Sequence, residues 1–270
     1  MEYLKLSFAG VTVQEYRKYI VGSASPPKGL SEKISHAREM EGEALFKILR
    51  EQRIGYVTID DADYPALLKE IYDPPYILYY RGDLTLFSHC KLAVVGSRKA
   101  GSYTRRALDG IIPGLAQELA IVSGLAYGAD AIAHEAAMKD GRATIGVLAF
   151  GHDVHYPKST QHVRTLMEAH HLVISEYPPG TSIEKWRFVA RNRIIAGMSV
   201  GVLVTEAEVG GGSMITLEMA LDENRIGFCI PGNIHSPLSK GTNIRIQDGA
   251  KMVLDPSDIM EEVFFGQQSK

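Results

Sequence analysis

Short apolar runs alternate with longer helix-like segments over residues 91–255, and this pattern predicts a sheet with helices on both faces. The runs are rich in β-branched residues and end at glycine or polar residues, as buried strands do. Strands covered on both faces read as near-continuous apolar segments. The predicted strands are LAVVG, AIVSG, TIGVLAF, LVISEY, VGVLVTEA and IGFCIPG. The predicted helices cover about residues 103–119, 129–139, 160–170, 184–197 and 213–224. The pattern therefore predicts a doubly wound, Rossmann-like α/β fold with a mostly parallel sheet.

The pattern before residue 91 is different. Two helix-like segments, VQEYRKYI and EGEALFKILREQ, are separated by Pro26 and Pro27, which are incompatible with a helix interior. We therefore predict a small helical N-terminal region over residues 1–50 and a connector over residues 51–90 that packs on the core. The core follows over residues 91–255, and a C-terminal helix and tail occupy residues 256–270.

The composition limits the classes of function. A net charge of −3 gives no general basic field, so any site for a polyanion must be local. The N-terminal segment has no pattern of a secretory signal and no window is apolar enough to span a membrane, which predicts a cytoplasmic protein. Cys90 and Cys229 lie in or beside apolar runs and are predicted to be buried free thiols. His152, His155 and His162 have no zinc-site spacing and are predicted to be ordinary loop residues.

Six unusual loops each follow a predicted strand and so are expected at the carboxyl edge of the sheet. They are GSRKAGS, SGLAYGAD, GHDVHYPKST, EYPPGTSIEKWRF, TEAEVGGGS and PGNIHSPLSKGTN. Open α/β sheets bind ligands at this edge, where helix N-termini favour anions. Hydroxyl donors and cations stand among the glycines, namely Ser97, Ser123, Ser213, Arg98, Lys99, Lys158, Lys185 and Arg187. One such loop is usually an ordinary turn, but six with interleaved cations predict a crevice for phosphate.

The familiar nucleotide motifs are missing from this edge. The first loop runs from Gly96 to Gly101 without the G-x-G-x-x-G pattern, and the second strand ends at Ser123 and Gly124, where a ribose-binding acid would stand. No P-loop sequence is present either. Nicotinamide chemistry and nucleoside triphosphate hydrolysis are therefore not expected.

A cationic segment, Glu184–Arg193, is predicted to form a helix that starts at a capping box of Thr181 and Glu184. Helical spacing places Lys185, Phe188 and Asn192 on one face and Arg187 with Arg191 on the adjacent face. Cations beside an exposed aromatic ring are typical of single-stranded nucleic acid sites, because the charges follow the phosphates while the ring stacks on a base. For Trp186 we predict packing in the core.

Catalytic carboxylates are the alternative for several acidic residues. Asp130 and His134 share a helix face, and Glu176, Glu206 and Glu218 lie near the same sheet edge. No nucleophile with a matched base accompanies them, so we expect structural roles and no enzyme activity.

Seven segments resemble the DNA processing protein A family, DprA or Smf, over about residues 50–255. They are YPALLKEIYDPPYILYYRGDL, VVGSR, SGLAYGADAIAH, HYPKS, FVARNRIIAG, TEAEVGGGSMITLEMALDEN and IPGNIHSPLSKGTNIRIQDGAK. The resemblance implies a homodimer that binds single-stranded DNA during natural transformation and DNA recombination and loads the RecA recombinase on it, with no cofactor and no catalysed reaction. The N-terminal region matches the family's SAM-like domain only in being short and helical.

The resemblance also assigns residues. Arg98 and Lys158 match DNA contacts, Lys185 and Phe188 match a lysine and a base-stacking aromatic, and Asn243, Ile246 and Met252 fall on the dimer surface. With the loop residues, the candidate DNA-binding set is Gly96, Ser97, Arg98, Ser123, Gly124, Gly128, Lys158, Lys185, Arg187, Phe188, Arg191, Asn192, Gly211, Gly212 and Ser213.

An enzymatic alternative comes from lysine-decarboxylase-like phosphoribohydrolases, which share the fold and a PGGxGTxxE loop. Gly211, Gly212 and Glu218 keep that spacing. Met214 and Ile215 replace the Gly-Thr that would hold a monophosphate, which favours the DNA-binding hypothesis.

Overall fold

A nine-stranded sheet forms the centre of the protein. The computed structural model describes residues 2–22 and 25–265. The strands are β1 (Gly55–Thr58), β2 (Ile77–Gly82), β3 (Cys90–Val95), β4 (Leu119–Ser123), β5 (Thr144–Val147), β6 (Leu172–Ser175), β7 (Gly201–Val204), β8 (Ile226–Cys229) and β9 (Lys251–Met252). Their order is β1-β2-β6-β5-β4-β3-β7-β8-β9. All neighbours from β6 to β9 are parallel, whereas β1 and β2 are antiparallel additions beside β6.

Helices surround this sheet and connect its strands. They are α1 (Glu2–Phe8), α2 (Val13–Glu15), α3 (Lys28–Glu39), α4 (Gly42–Glu51), α5 (Ala66–Lys69), α6 (Ser102–Ile111), α7 (Ala129–Lys139), α8 (Gln161–His170), α9 (Lys185–Gly197), α10 (Gly212–Asp222), α11 (Pro237–Gln247) and α12 (Ser257–Met260). Short 3-10 turns at Leu84–Ser88, Ile112–Gly114 and Lys158–Thr160 and π-helical turns at Tyr16–Val21 and Glu261–Phe265 complete the set.

Alternate residues of β3 enter two different cores, which confirms the doubly wound fold. Leu92 and Val94 pack in the cluster that contains the apolar faces of α6 and α7. Ala93 and Val95 pack in the cluster that contains those of α9 and α10. Successive side chains of a strand point to opposite faces, so both faces of the central strand are buried. This explains why the predicted strands show no alternation of apolar and polar residues.

The N-terminal helices share a separate apolar cluster with the antiparallel strands. Leu4, Leu30 and Leu49 pack in it together with Tyr79 of β2, whose hydroxyl donates a hydrogen bond of 2.8 Å to the Ser7 hydroxyl. The predicted connector thus contributes two strands to the sheet, which the sequence pattern did not predict. The division of the chain into the four regions of the sequence analysis stays a prediction.

Two predicted boundaries are wrong. The helix predicted over residues 103–119 ends at Ile111, where Pro113 follows in a 3-10 turn. The guanidinium of the buried Arg142 donates to the carbonyls of Ile112 and Leu115 at 3.0 and 3.1 Å and so satisfies this helix end. The capping box at Thr181 is also wrong, because Glu184 is the residue that precedes the first turn of α9.

Helix α11 was not predicted. It begins at Pro237 within a segment that reads as a polar loop, and it contains Gly241. The Gly241 N–H donates to the Ala207 carbonyl at 2.9 Å, and a Cβ on Gly241 would lie 2.7 Å from that oxygen. Close approach to the loop after β7 therefore requires glycine here, and this contact is invisible in the local pattern.

The prediction of buried free thiols is confirmed for Cys229 and only in part for Cys90. Both cysteines are free, Cys229 being buried and Cys90 half-buried. His152 lies in a turn after β5, as predicted for a loop residue, and its side chain is fully buried. Over residues 2–22 and 25–265, no group of three or more metal-ligating side chains is present, and no helix combines the length and the apolar character needed to cross a membrane.

Candidate functional site

A cavity of about 780 Å³ lies at the sheet edge, at the point where the strand order reverses. The loops after the neighbouring strands β3 and β7 form two of its walls, and the first two turns of α9 form a third. Its lining residues are Val95, Gly96, Ser97, Arg98, Lys99, Ala126, Asp130, Tyr156, Ile183, Glu184, Lys185, Phe188, Val189, Arg191, Asn192, Ile195, Ala207, Glu208, Gly211, Gly212, Ser213 and Thr216. A cavity at this place is the usual ligand site of an open α/β sheet.

Most of the candidate DNA-binding residues converge on this cavity. Those that line it are Gly96, Ser97, Arg98, Lys185, Phe188, Arg191, Asn192, Gly211, Gly212 and Ser213. Gly124 lines a smaller adjoining pocket. Arg98 and Lys185, which lie 87 positions apart in the sequence, are both exposed at the same opening. The clustering that the sequence argument required is therefore present for these two cations.

The other candidate residues take different positions. The fully buried Ser123 donates its hydroxyl to the Val94 carbonyl at 2.6 Å, so it ties β4 to β3. Gly128 has φ +85°, and a Cβ there would lie 2.6 Å from the carbonyl oxygens of Ser97 and Arg98. It permits the close packing of α7 on the first loop. Lys158 is exposed but does not line the cavity, although the preceding Tyr156 does.

An aromatic pocket of about 100 Å³ adjoins the cavity beside Arg98. Phe188 is half-buried, and its ring centroid lies 5.8 Å from that of Tyr156 and 6.2 Å from that of Phe150. The Arg98 guanidinium lies 5.6 Å from the Phe188 centroid, in the range of a cation–π contact. A flat ring that entered here would meet aromatic faces while a phosphate could meet Arg98.

Arg191 forms the floor between this pocket and the larger cavity. Only 5% of it is exposed, and its Nη1 donates to the carbonyls of Gly124 and Val147 at 2.6 and 2.5 Å. A Cβ on Gly124 would overlap the guanidinium, so the close approach requires glycine. Burial lowers the pKa of Arg191 to about 10, opposed by Asp130, so it stays charged at neutral pH. Burial likewise raises the pKa of Asp130, opposed by Arg191.

The cationic segment of α9 is mostly not available at the surface. Arg193 is in a buried bidentate pair with Glu176, with Nη2 to Oε2 at 2.6 Å, and its Nε lies 3.0 Å from Asp73. Arg191 is buried as described, which leaves Lys185 and Arg187 nearer to solvent. The prediction that Trp186 packs in the core is wrong, because 57% of this residue is exposed.

The charge balance of the cavity is nearly even. The basic lining residues are Arg98, Lys99, Lys185 and Arg191, and the acidic ones are Asp130, Glu184 and Glu208. Glu208 pairs with Lys99, and Asp130 faces Arg191, so these charges largely compensate each other. Arg98 and Lys185 therefore supply most of the attraction that an entering anion meets.

The glycine-rich loop after β7 leads directly into α10, whose first residue is Gly212. Gly211 precedes it, and Ser213 and Thr216 of its first turns line the cavity. The first N–H groups of a helix have no partner inside the helix and attract anions. Asn192 of α9 also lines the cavity, and its side-chain Oδ1 accepts a hydrogen bond of 3.2 Å from the Arg191 Nε.

The residues considered as catalytic groups make structural contacts instead. His134 is buried with its Nδ1 2.7 Å from the Thr144 hydroxyl, and burial lowers its pKa to about 3. Glu206 accepts a hydrogen bond of 2.7 Å from the Thr104 hydroxyl. Glu218 pairs with Arg245 and does not line the cavity, so the phosphoribohydrolase alternative gains no support.

Tyr156 and Glu208 are among the lining residues that sequence reasoning did not single out. Tyr156 belongs to the HYPKS motif, in which only the lysine was singled out. Glu208 belongs to the TEAEVGGGS loop, in which attention fell on the glycines and serine. An aromatic residue two positions before the lysine of a loop at the sheet edge was a usable signal for Tyr156, whereas no comparable signal marked Glu208.

The candidate dimer residues lie on and beside α11, away from the cavity lining. The Asn243 amide is used within the chain, since it accepts from the Gly232 N–H and donates to the Gly232 carbonyl, both at 3.0 Å. Ile246 is half-buried against the core. Met252 is 42% exposed on the edge strand β9.

Comparison with known proteins gives consistent results. The family model "DNA recombination-mediator protein A" matches residues 55–264. The DNA processing protein DprA of Streptococcus pneumoniae is 46% identical over 214 residues, which cover 79% of this chain and 76% of that protein. The X-ray structure of DprA from Streptococcus pneumoniae superposes with a TM-score of 0.86 at 39% identity, covering 97% of this chain and 98% of the other. A structure of DNA processing protein A from Helicobacter pylori, described for its single-stranded DNA binding mode, gives a TM-score of 0.70 at 28% identity over 78% of this chain and 96% of the other.

Proposed function

The chain belongs to the DNA recombination-mediator protein A family, which includes the DprA and Smf proteins, and from this membership and the geometry of the cavity we propose that it binds single-stranded DNA there. The relative from Helicobacter pylori, whose structure was described for its single-stranded DNA binding, supports the choice of ligand. The protein acts as a recombination mediator in DNA processing and catalyses no reaction itself.

The observation that carries this proposal is the contact between Arg98 and Phe188. A cation lies against an aromatic ring at the mouth of a pocket that Tyr156 and Phe150 also border. Single strands offer unstacked bases and flexible phosphates together, so such a pair can hold one nucleotide by both parts. In a duplex the bases are stacked and paired, and their faces cannot reach a ring in a pocket. The site therefore favours single strands.

Lys185 and the start of α10 extend the contact surface for the phosphate backbone. Lys185 is exposed on the opening, and Gly211, Gly212 and Ser213 at the start of α10 line the same space, although the Gly211 N–H already donates to the Glu208 carbonyl at 3.0 Å. Ser97 adds a hydroxyl from the first loop. Lys158, which is exposed beside Tyr156, takes a phosphate outside the cavity. The groups that touch DNA are positioned by Arg187, Ser123, Gly124, Gly128 and Arg191. Gly96 and Asn192 contribute as lining residues of the cavity.

The finer role follows from the resemblance to the family. The protein loads the RecA recombinase on incoming single-stranded DNA during natural transformation and works in the cytoplasm as a homodimer. The dimer surface includes Met252 and Ile246, with Asn243 holding the loop before α11 in place through Gly232.

A binding titration tests the proposal. A fluorescent oligo-dT should bind more tightly than a duplex of the same length, and its affinity should fall steeply with salt because each neutralised phosphate releases counterions. Arg98→Ala and Lys185→Ala should each weaken binding and reduce the slope of log affinity against log salt by about 0.7 per lost phosphate contact. Lys47→Ala, which removes an exposed cation from α4, is the matched control. Equal affinity of both site variants and wild type would refute the site.

A further inference from the structure

Trp186 is the one tryptophan of the chain, and it lies exposed where the sequence predicted core packing. It is the second residue of α9, and 57% of its surface is accessible. A single exposed apolar residue is common on protein surfaces, but an exposed tryptophan ring also offers a face on which a nucleic-acid base can stack. The DNA site described above does not use it, because Trp186 does not line the cavity.

The Trp186 indole is in contact with the Arg187 side chain. The Arg187 guanidinium lies 5.2 Å from the Trp186 ring centroid and 5.1 Å from that of Tyr177, which follows β6 at the same edge of the sheet. Arg187 also donates through Nη1 to the Ser182 carbonyl. Its buried Nε has no partner among the described residues. Arg187 therefore fixes the orientation of the ring, which lowers the entropy cost of stacking against it.

The position of Trp186 relative to Phe188 is informative. Two residues along a helix correspond to a rotation of about 200°, so the two rings point to roughly opposite sides of α9. Lys185 lies on the first turn between them, together with N–H groups that have no partner within the helix. A polynucleotide that leaves the cavity can cross this turn with a phosphate near Lys185. Glu184 at the same helix end opposes this attraction but does not remove it.

We propose that Trp186 is a second stacking platform, on which a nucleotide outside the cavity lays its base after the strand has crossed the first turn of α9. The inference rests on the proposed function and extends its footprint beyond the cavity. The Trp186 ring is flanked by two cations, Lys185 and Arg187. These charges favour a polyanion over an apolar protein surface as the partner.

The intrinsic fluorescence of this single indole gives a direct test without any substitution. Oligo-dT should quench the emission of the wild-type protein, and the quenching should saturate at the concentration at which anisotropy of a labelled oligo-dT shows full binding. Phe188→Ala should weaken binding but leave the same quenching at saturation, because the Trp186 platform is intact. Oligomers too short to leave the cavity should bind without quenching.

Substitutions of Trp186 provide a second test of the stacking platform. Trp186→Ala should weaken the binding of long oligo-dT by about tenfold, and Trp186→Phe should restore much of it, because any aromatic face can stack. Melting temperatures should match wild type, since the side chain is mostly exposed. If oligo-dT binds but leaves the emission unchanged and Trp186→Ala binds as wild type does, the platform is refuted while the proposed function stands. If wild type binds no oligo-dT at all, both are refuted.

Discussion

Lys99 and Glu208 join the loops after β3 and β7 through an ion pair, with 2.9 Å between Nζ and Oε1. Both side chains line the cavity, and both are largely exposed. The Glu208 carboxylate is therefore paired with the Lys99 ammonium group, which a DNA phosphate would otherwise contact. An anion that approaches Lys99 has to displace this carboxylate first.

This pair leads to the first prediction. Glu208→Gln should tighten the binding of oligo-dT by roughly two- to fivefold at low salt, since exposed ion pairs contribute little and the released Lys99 becomes available to phosphate. Anisotropy titrations at several salt concentrations measure both the affinity and its salt slope, which should become steeper. The control, Glu39→Gln, makes the same change in net charge at the exposed end of α3. It should leave the affinity for oligo-dT unchanged. Weaker binding by Glu208→Gln would show that the pair organises the site instead of competing for it.

Arg191 provides the second prediction, on stability. Arg191→Met should lower the free energy of unfolding by about 3 to 5 kcal/mol, because it leaves Asp130 as a buried charge and the carbonyls of Gly124 and Val147 without a donor. Urea unfolding measures this loss. Adding Asp130→Asn should recover part of it, since the uncompensated charge is then absent. If the losses in unfolding free energy of the two single variants simply add in the double variant, Arg191 and Asp130 are not coupled.

The third prediction concerns acid. Burial would raise the pKa of Glu168, but His152, Arg164 and Arg81 hold this pKa at about 2, below its ordinary 4.5. Burial, aided by His171 and Arg191, lowers the pKa of His134 from 6.5 to about 3. In both cases the unfolded chain binds the proton first as pH falls. The free energy of unfolding should therefore decrease between pH 6.5 and 3 through His134 and between pH 4.5 and 2 through Glu168.

Urea unfolding measured across this pH range shows whether the free energy of unfolding decreases as the pH falls. Each group contributes at most about 1.4 kcal/mol per pH unit inside its window. Glu168→Gln should be less stable than wild type at neutral pH, and the difference should shrink as pH falls below 4.5. A difference that stays constant down to pH 2 would mean that Glu168 keeps an ordinary pKa in the folded protein.

The fourth prediction tests the dimer surface. In the proposed homodimer, Met252→Arg should cause dissociation to monomers, because a charge would enter an apolar contact on the edge strand β9. Ile246→Arg should do the same but should also lower the melting temperature, since Ile246 is packed against the core. Light scattering gives the mass, and Val21→Arg, at another exposed apolar position, is the control. Dimers that persist in both variants would place the interface elsewhere.

The sequence by itself determined the six strands β3–β8 and the edge at which ligands meet the sheet. Burial on both faces leaves apolar strands such as LAVVG without alternation, and parallel strands send all their following loops to one edge. Six such loops with interleaved glycines and cations were therefore enough to locate the cavity, and Arg98 with Lys185 did converge there.

Only the tertiary structure decided which charges and rings of α9 are available. Helical spacing gives the face of a residue but not the neighbour that the face meets. Arg191 and Arg193 are buried against Gly124, Val147 and Glu176, which come from other parts of the chain, whereas Trp186 faces water. Helix α11 likewise depends on the contact of Gly241 with Ala207. Pairing and burial depend on partners distant in sequence, and a local pattern does not contain them.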